Sequence, residues 1–476
     1  MSEDKGVKIG LETHIQLDTN SKLFCGCSAE LSEEPNKHTC DTCLGMPGSK
    51  PRTNEKVIEY ALRASLALEC EIKDEVRFSR KTYFYPDMSK NFQITQHEIP
   101  VGVEGELKTK LGDEKKNIRI KRLHIEEDPA KINHKGGDIT SSDYTLLDYN
   151  RAGIPLIEIV TKPDFSAPEE ARKFLQKLTK IMEYLGIYDP SSDLSIKSDA
   201  NISIEGGERV EVKNITGTKG IEKALNYEIT RQKNLKKRGR DIKRETRSYN
   251  SAQEITNSMR QKESEAGYGY ILEPDLTKLD IEREEVESIE KELPELPDEK
   301  LERFVRDYEL PEEIAESLIT EKELAEDFEE LVVDHDSSIT ANWMTKELKK
   351  TLNYNGISYR ESGLEKDWIS YIIGLLEEDK ITDRNAEKVI RETVEKSVDP
   401  EKIVEREDLL KAESSEIETT VTEVIEANQN AVEDYRSGEE GAINYLVGQV
   451  MKRSNGKADP RETRELIEKE LENSQD

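Results

Sequence analysis

In VKIGLETHIQL, Val7, Ile9, Leu11, Ile15 and Leu17 fall on one side of a period-two pattern, with Glu12, His14 and Gln16 on the other. That alternation predicts a strand with one apolar and one polar face. IPLIEIVTK, NISI and RVEVK add short β runs, cut by Gly, Pro and Asp. NEKVIEYALRASLALEC and APEEARKFLQKLTKIMEYLGI instead carry apolar residues at helical spacing, and the second stops at Gly186. The LPELP at 293–297 is the clearest break. Beyond it nearly every segment has helical periodicity, in short amphipathic pieces separated by Pro, Gly and Asn, with no fixed-period repeat. The pattern predicts an α+β first domain and an all-helical remainder.

Charge changes the picture of the partners. The 476 residues hold 71 Lys and Arg against 102 Asp and Glu, a net charge of −31. Such a surface does not bind nucleic acid or anionic membrane over its whole area. No run approaches the 18 apolar residues of a membrane span, and the first residues lack the layout of a signal peptide. Five Cys do not make a disulfide framework, so a soluble, cytoplasmic protein is expected. The acidity is uneven. Residues 281–330 hold 21 acidic and six basic side chains, which reads as solvated helix faces, whereas 231–247 holds nine basic and two acidic ones. That basic island is either one exposed helix or hairpin, or a contact for phosphates. A salt-adapted cytosol would also explain the global excess, but Glu outnumbers Asp by more than two to one, which leaves that question open.

Three constellations could carry chemistry. Cys25 and Cys27, then Cys40 and Cys43, place four thiols within one 19-residue stretch. Two close pairs joined by a polar loop suit tetrahedral zinc in a closed, structural site; the other reading is four free core thiols. His38 is a bystander on this reading, and Cys70 sits in an apolar helix as core. Glu12 and His14 share a strand face, Glu158 interrupts the apolar IPLIEIV, and Glu126, Glu127 and Asp128 follow His124 in RLHIEEDPAK. Hard oxygen ligands with an imidazole suit magnesium or manganese, although each Glu taken singly reads as a surface residue. Residues 78–96 gather Arg80, Lys81, Tyr83, Tyr85 and Lys90 around Pro86 and Asp87, a set that could stack on a base, pair with phosphate, or simply pack as a loop. The chain has no GxxxxGK[ST] and no GxSxG, so a P-loop and a candidate glutaminase nucleophile are both missing.

Taken together, IGLETHIQL, CxC…CxxCLGMPGSKP, FSRKTYFYPDMSKNFQITQ, RLHIEEDPAK, DYNRAGIPLIEIVTKPD, SDANISI, RVEVKN, SMRQKE, LEPDL, ANW and YLVGQVMK resemble the B subunit of the aspartyl/glutamyl-tRNA amidotransferase. They run in order from residue 9 to 452, nearly the whole chain. The resemblance implies a cradle-like domain over 1–292 with its zinc loop at 25–43, a helical domain over 293–400, and a tRNA-binding helical tail over 401–476. It implies that ATP phosphorylates the side-chain carboxylate of Asp or Glu misacylated onto tRNA(Asn) or tRNA(Gln), and that ammonia then displaces the phosphate. A separate amidase subunit supplies the ammonia and a small third subunit ties the two together, in keeping with the missing nucleophile.

Carried over by motif, the family's Mg²⁺ site falls on Glu12, His14, the Glu126/Glu127 pair and Glu158. Arg80, Lys81, Tyr83, Tyr85 and Asp87 would line the same cradle for ATP and substrate, with Asp199 and Asn201 as neighbours and Lys213 and Asn214 as cradle contacts. The zinc loop matches those members that keep all four Cys. Departures are EEDPAK for the common EEDAGK, which places Pro129 after the acidic pair, SIKSDAN for SLRCDAN, which brings in Lys197 and Ser198, and KNITGTKGIEKAL. Lys452, Arg453 and Lys457 are the tail's candidate tRNA contacts, with an ordinary amphipathic helix end as the other reading. The rival from a different class is a catalytically inert tRNA-binding or assembly scaffold. The intact Glu12, His14 and Glu158 set counts against it.

Overall fold

The structure, a computed structural model, describes residues 6–30, 32–111, 114–135, 142–190, 196–259, 268–412, 414–439, 441–454 and 456–473. They form two units, residues 1–296 and 297–476. The first is built on strands β1 (Lys8–Gln16), β2 (Glu71–Ile72), β3 (Glu75–Val76), β4 (Ser79–Thr82), β5 (Phe92–Thr95), β6 (Gly102–Leu111), β7 (Glu114–Glu127), β8 (Lys131–Lys135) and β9 (Tyr144–Asp148). It continues through β10 (Pro155–Thr161), β11 (Ile196–Ser203), β12 (Val210–Thr216), β13 (Glu245–Asn250), β14 (Ile255–Ser258), β15 (Ile271–Leu272) and β16 (Leu279–Asp280). Its helices are α1 (Glu55–Ala67), α2 (Pro168–Tyr184), α3 (Thr218–Lys237) and α4 (Arg283–Lys291).

Nine strands make one sheet in the order β14-β13-β12-β11-β1-β10-β7-β6-β2, antiparallel throughout except for β12 beside β13. The alternation along β1 is what the sheet uses. Ile9, Leu11 and Ile15 bury completely with Leu123, Ile125, Ile157, Ile159, Ala200 and Ile202 of the neighbouring strands. α1, α2 and α3 cover that face with Val57, Leu62, Phe174, Leu178, Ile221 and Leu225. Full burial of each such side chain stabilises by roughly 1.5–3 kcal/mol, so the apolar row fixes which face turns inward. Asn54 caps α1 by accepting the Lys56 N–H at 3.0 Å, and Pro168 begins α2 where its missing N–H costs nothing. β6 can approach the end of α1 because Gly105 lies against the Cys70 sulfur, where a Cβ would collide. Cys70 is thus core, as its helical context predicts.

The second unit is all helical, which with the sheet unit makes the α+β architecture expected from the pattern. α5 (Pro297–Asp307), α6 (Glu312–Leu318), α7 (Lys322–Leu331), α8 (Ser337–Asn342), α9 (Lys349–Asn355), α10 (Lys366–Glu377), α11 (Asp383–Lys396) and α12 (Pro400–Glu407) surround a core from Phe304 to Leu409. α13 (Ser414–Ala427), α14 (Gln429–Arg436), α15 (Gly441–Arg453) and α16 (Pro460–Asn473) enclose another, from Ile417 to Leu471. None of the 21 acidic side chains of 281–330 is buried. Among the described residues no helix is long and apolar enough to cross a membrane.

Candidate active site

Opposite its helices the large sheet presents a polar face, and strand register sets that face out in rows. His124 of β7 pairs with Glu158 of β10, Glu158 with His14 of β1, and His14 with Lys197 of β11. Arg122, Val160, Glu12 and Asp199 make the next row, and Glu126, Leu156 and Gln16 the row on the other side. Neighbours within a row stand about 5 Å apart with their side chains on the same face.

The centre of the face is an acid–imidazole cluster. His14 Nε2 lies 3.1 Å from Glu126 Oε1 and 3.4 Å from Glu158 Oε2, while His124 Nε2 lies 3.1 Å from Glu158 Oε2. Both carboxylates are buried. Burial alone would raise the Glu158 carboxyl, but the charges and hydrogen bonds of His124 and His14 outweigh it and hold the group well below the usual range. Burial would likewise lower His14, yet Glu158 and Glu126 keep its imidazole well above the ordinary value. For Glu126, burial is again outweighed, chiefly by the hydrogen bond and charge of His14. One donor atom each from His14, Glu126 and Glu158 lies within 4.8 Å of the other two. Adjacent ligands of an octahedral Mg²⁺ at ~2.1 Å are about 3 Å apart, so this donor set fits such an ion. His124 then orients Glu158 from behind.

The expected site residues divide around this cluster. Glu126 joins it, whereas Glu127 turns to the other side, accepting from the Ile94 N–H at 2.8 Å and pairing with Lys90. Glu12 stands outside the three-donor set. It accepts from Asn201 Nδ2 at 2.9 Å, and its carboxyl is raised by burial and by Glu158, against Lys213 and with smaller pushes from Asp199 and Glu211. Asp199 takes a 2.8 Å ion pair from Lys213, which also pairs with Glu211, and accepts the Asn214 N–H at 3.1 Å. Lys81 reaches the cluster from β4: burial would lower its amine, but Glu126, Tyr270 and Glu158 raise it. Tyr83 is raised by burial and by Asp87, and Tyr85 is exposed in the turn beyond. Arg80 is directed elsewhere, in a bidentate pair with the fully buried Glu273 at 2.7 and 2.8 Å. Of SMRQKE, residues 260–263 lie outside the described residues.

Several residues of this surface were not singled out from the sequence. Gln16 donates to Asp128 Oδ2 at 3.1 Å, and Arg151 holds the turn after the acidic pair through the carbonyls of Pro129 and Ala130, each at 3.0 Å. Tyr268 lies under the Lys81 ammonium at 5.1 Å, and Tyr270 stacks on His97 at 3.9 Å. Arg122 had a readable clue, since it stands two residues before His124 and shares its face. The tyrosines had none, because their segment lies far along the chain and is brought to the site by tertiary contacts, among them the pairing of β15 with β4.

The four thiols do converge. The sulfurs of Cys25, Cys27, Cys40 and Cys43 all lie within 4.8 Å of one another, and Cys40 and Cys43 are 3.9 Å apart. Edges of a tetrahedral ZnS₄ site are about 3.8 Å, so the set fits zinc with no open position. The Cys43 thiol is pulled down to about 5, first by the hydrogen bond from Cys25, against burial. Lys22, fully buried, donates to the His38 carbonyl at 2.7 Å and the Tyr149 carbonyl at 3.1 Å, with Cys43 Sγ at 3.9 Å. His38 takes no place among the sulfurs; its Nδ1 meets the Glu30 carbonyl at 2.9 Å.

The basic island is partly structural. Arg231 and Arg247 join the buried Glu228 and Glu245 in one ion-pair network, while Lys237, Arg238, Arg240, Lys243 and Arg244 are exposed. In the tail, Arg453 pairs with Glu423 and Lys457 with Asp408. Lys452 and Arg453 are both exposed, and of the three cations Lys452 has no ion pair among the described residues.

Residues 7–287 match a family model described as the GatB/GatE catalytic domain, and residues 326–471 match one described as the GatB domain. Proteins named as the B subunit of aspartyl/glutamyl-tRNA(Asn/Gln) amidotransferase are similar along the whole chain. That of Methanospirillum hungatei is 45% identical, with 99% of each chain covered. That of Haloquadratum walsbyi is 42% identical over 98% of this chain and 97% of its own. That of Carboxydothermus hydrogenoformans is 42% identical over 97% of this chain and 98% of its own.

Proposed function

The chain belongs to the GatB family of aspartyl/glutamyl-tRNA amidotransferase B subunits, and on that premise we propose that its sheet unit carries out the ATP-dependent half of the amidation. The substrate is Asp on tRNA(Asn), Glu on tRNA(Gln), or both. The side-chain carboxylate attacks the γ-phosphorus of ATP, ADP leaves, and an acyl phosphate forms. Ammonia then adds to the acyl carbon and inorganic phosphate leaves, giving the amide. A carboxylate is a poor acceptor for ammonia, and phosphorylation supplies the leaving group.

The observation that carries this reading is the cluster of His14, Glu126 and Glu158 on the polar face of the sheet. Those residues would hold Mg²⁺, which when bound neutralises phosphate charge. His124 keeps Glu158 ionised and oriented, and Lys81 adds positive charge beside both carboxylates. The Cys loop would hold zinc as a structural clamp, since a closed S₄ set offers no reactive position. The amidase and the small third subunit are the expected partners, and the tail, 401–476, is the expected grip on tRNA. With ammonium, ATP, Mg²⁺ and Asp-tRNA(Asn) or Glu-tRNA(Gln), the chain should form the amide without any amidase. Glutamine should replace ammonium only when the amidase is present. No amide from either tRNA under either condition would sink the proposal and leave the scaffold reading standing.

A further inference from the structure

Most cations around the acid cluster are already engaged. Arg80 is held by Glu273, Lys90 by Glu127, Lys213 by Asp199 and Glu211, and Arg151 by Asp128 and two carbonyls. Three are not. The side chains of Lys81, Arg122 and Lys197 make no hydrogen bond or ion pair among the described residues. Lys81 rests on the Tyr268 ring, and its ammonium feels the charges of Glu126 and Glu158. Arg122 leaves the same face two residues before His124, and its Nε is buried without a partner. Lys197 stands one strand beyond His14. Burial lowers the Lys197 amine in spite of Asp128 nearby, and Arg151 adds to the fall, as for a cation short of countercharge. Half-buried cations without partners cost stability unless an anion completes them. Here they flank the carboxylates on both outer strands and from β4.

We propose that Arg122 and Lys197, together with Lys81, take the phosphate oxygens of the nucleoside triphosphate, whose metal is held by His14, Glu126 and Glu158. This rests on the reaction proposed above and assigns its nucleotide contacts to the three unpaired cations instead of Arg80, Lys90 and Lys213. The rival role, merely balancing the acidic face, makes a different prediction. Removing a balancing cation alters metal affinity and leaves nucleotide affinity alone.

The test uses the full-length chain purified with its co-eluting subunits. Binding of a non-hydrolysable ATP analogue with Mg²⁺ is measured by calorimetry for wild type, R122Q, K197Q and the double variant. Mn²⁺ binding without nucleotide is followed by electron paramagnetic resonance. Each single change should weaken nucleotide binding about tenfold and the double change about a hundredfold, as charge-assisted hydrogen bonds are lost. Mn²⁺ should bind as well as before or more tightly, and R122K and K197R should recover part of the nucleotide affinity. Should R122Q fail to fold, R122K and K197Q carry the comparison. Unchanged nucleotide affinity in the variants overturns the assignment. So does a parallel loss of nucleotide and Mn²⁺ binding, which would mark these residues as structural. A wild-type assembly that binds no nucleotide at all overturns the proposed reaction and this assignment with it.

Discussion

Two sites on the sheet unit offer metal-binding donors, and they are built in opposite ways. The sulfur site draws Cys25, Cys27, Cys40 and Cys43 from a single loop of 19 residues. The acid site draws His14, Glu126 and Glu158 from three strands that lie far apart in the chain and meet through antiparallel register. Four soft donors close a coordination sphere, whereas three mixed donors on a sheet face leave positions for phosphate and water. Loop-local donors can organise a fold, but they have little to offer a substrate. Strand-borne donors inherit their positions from the core and need no metal to be aligned, which is why the proposed reaction is placed at the acid site.

The sharpest way to break this comparison is to remove a donor from each. E158Q should lower amide formation by about a thousandfold or more, because it removes one of the three donors proposed to hold the Mg²⁺ that would offset phosphate charge. Its melting midpoint and tRNA binding should stay close to wild type. If E158Q loses tRNA binding and activity in the same proportion, Glu158 is structural and the contrast collapses. C40S combined with C43S should show the reverse. Elemental analysis should find the bound zinc gone and the melting midpoint several degrees lower, since a structural metal contributes folding energy directly. Amide formation per folded molecule should remain within a few-fold. A catalytic loss comparable to that of E158Q would mean that the sulfur loop positions the acid site.

The contrast also explains what could be read from the residues alone. β1 was legible because its period-two pattern is long and clean, and the Cys loop because its donors are local. The acid cluster was legible only as scattered carboxylates, since no spacing rule links Glu12, Glu126 and Glu158 before β1, β7 and β10 are known to be neighbours. Even with the family motifs in hand, Glu126 and Glu127 could not be told apart. Adjacent strand residues point to opposite faces, and only the pairing of β7 with β10 shows which face is which. Glu12 was grouped with His14 by the same alternation, but it lies one row along and meets Asn201 instead. Arg80 looked like a ligand contact because the sequence hides its partner, Glu273, in a distant segment just past β15.

A smaller effect should come from Lys22, which ties the sulfur loop to the turn before β10 through the His38 and Tyr149 carbonyls. K22M removes a buried ammonium and strands both carbonyls, at a cost of ~1–3 kcal/mol. Chelator competition should show zinc held more weakly than in wild type, and thermal melting should show the lost stability. Unchanged zinc retention would mean that Lys22 supports the fold without supporting the loop.

The least disruptive change addresses whether the two sites act independently. A cavity of about 130 Å³ has Cys25, Cys43, Lys90 and Glu127 among its lining residues, so Glu127 borders a space shared with the sulfur loop. E127Q keeps an acceptor for the Ile94 N–H but removes the charge that Lys90 faces, a loss of ~1–2 kcal/mol for so sheltered a pair. Combined with C40S and C43S, it closes a thermodynamic cycle on stability. If the sites are independent, the losses add to within about 0.5 kcal/mol. A larger coupling would show that the sulfur loop and the acidic pair share a wall. Zinc would then influence the strand end that carries Glu126 without touching a reacting atom.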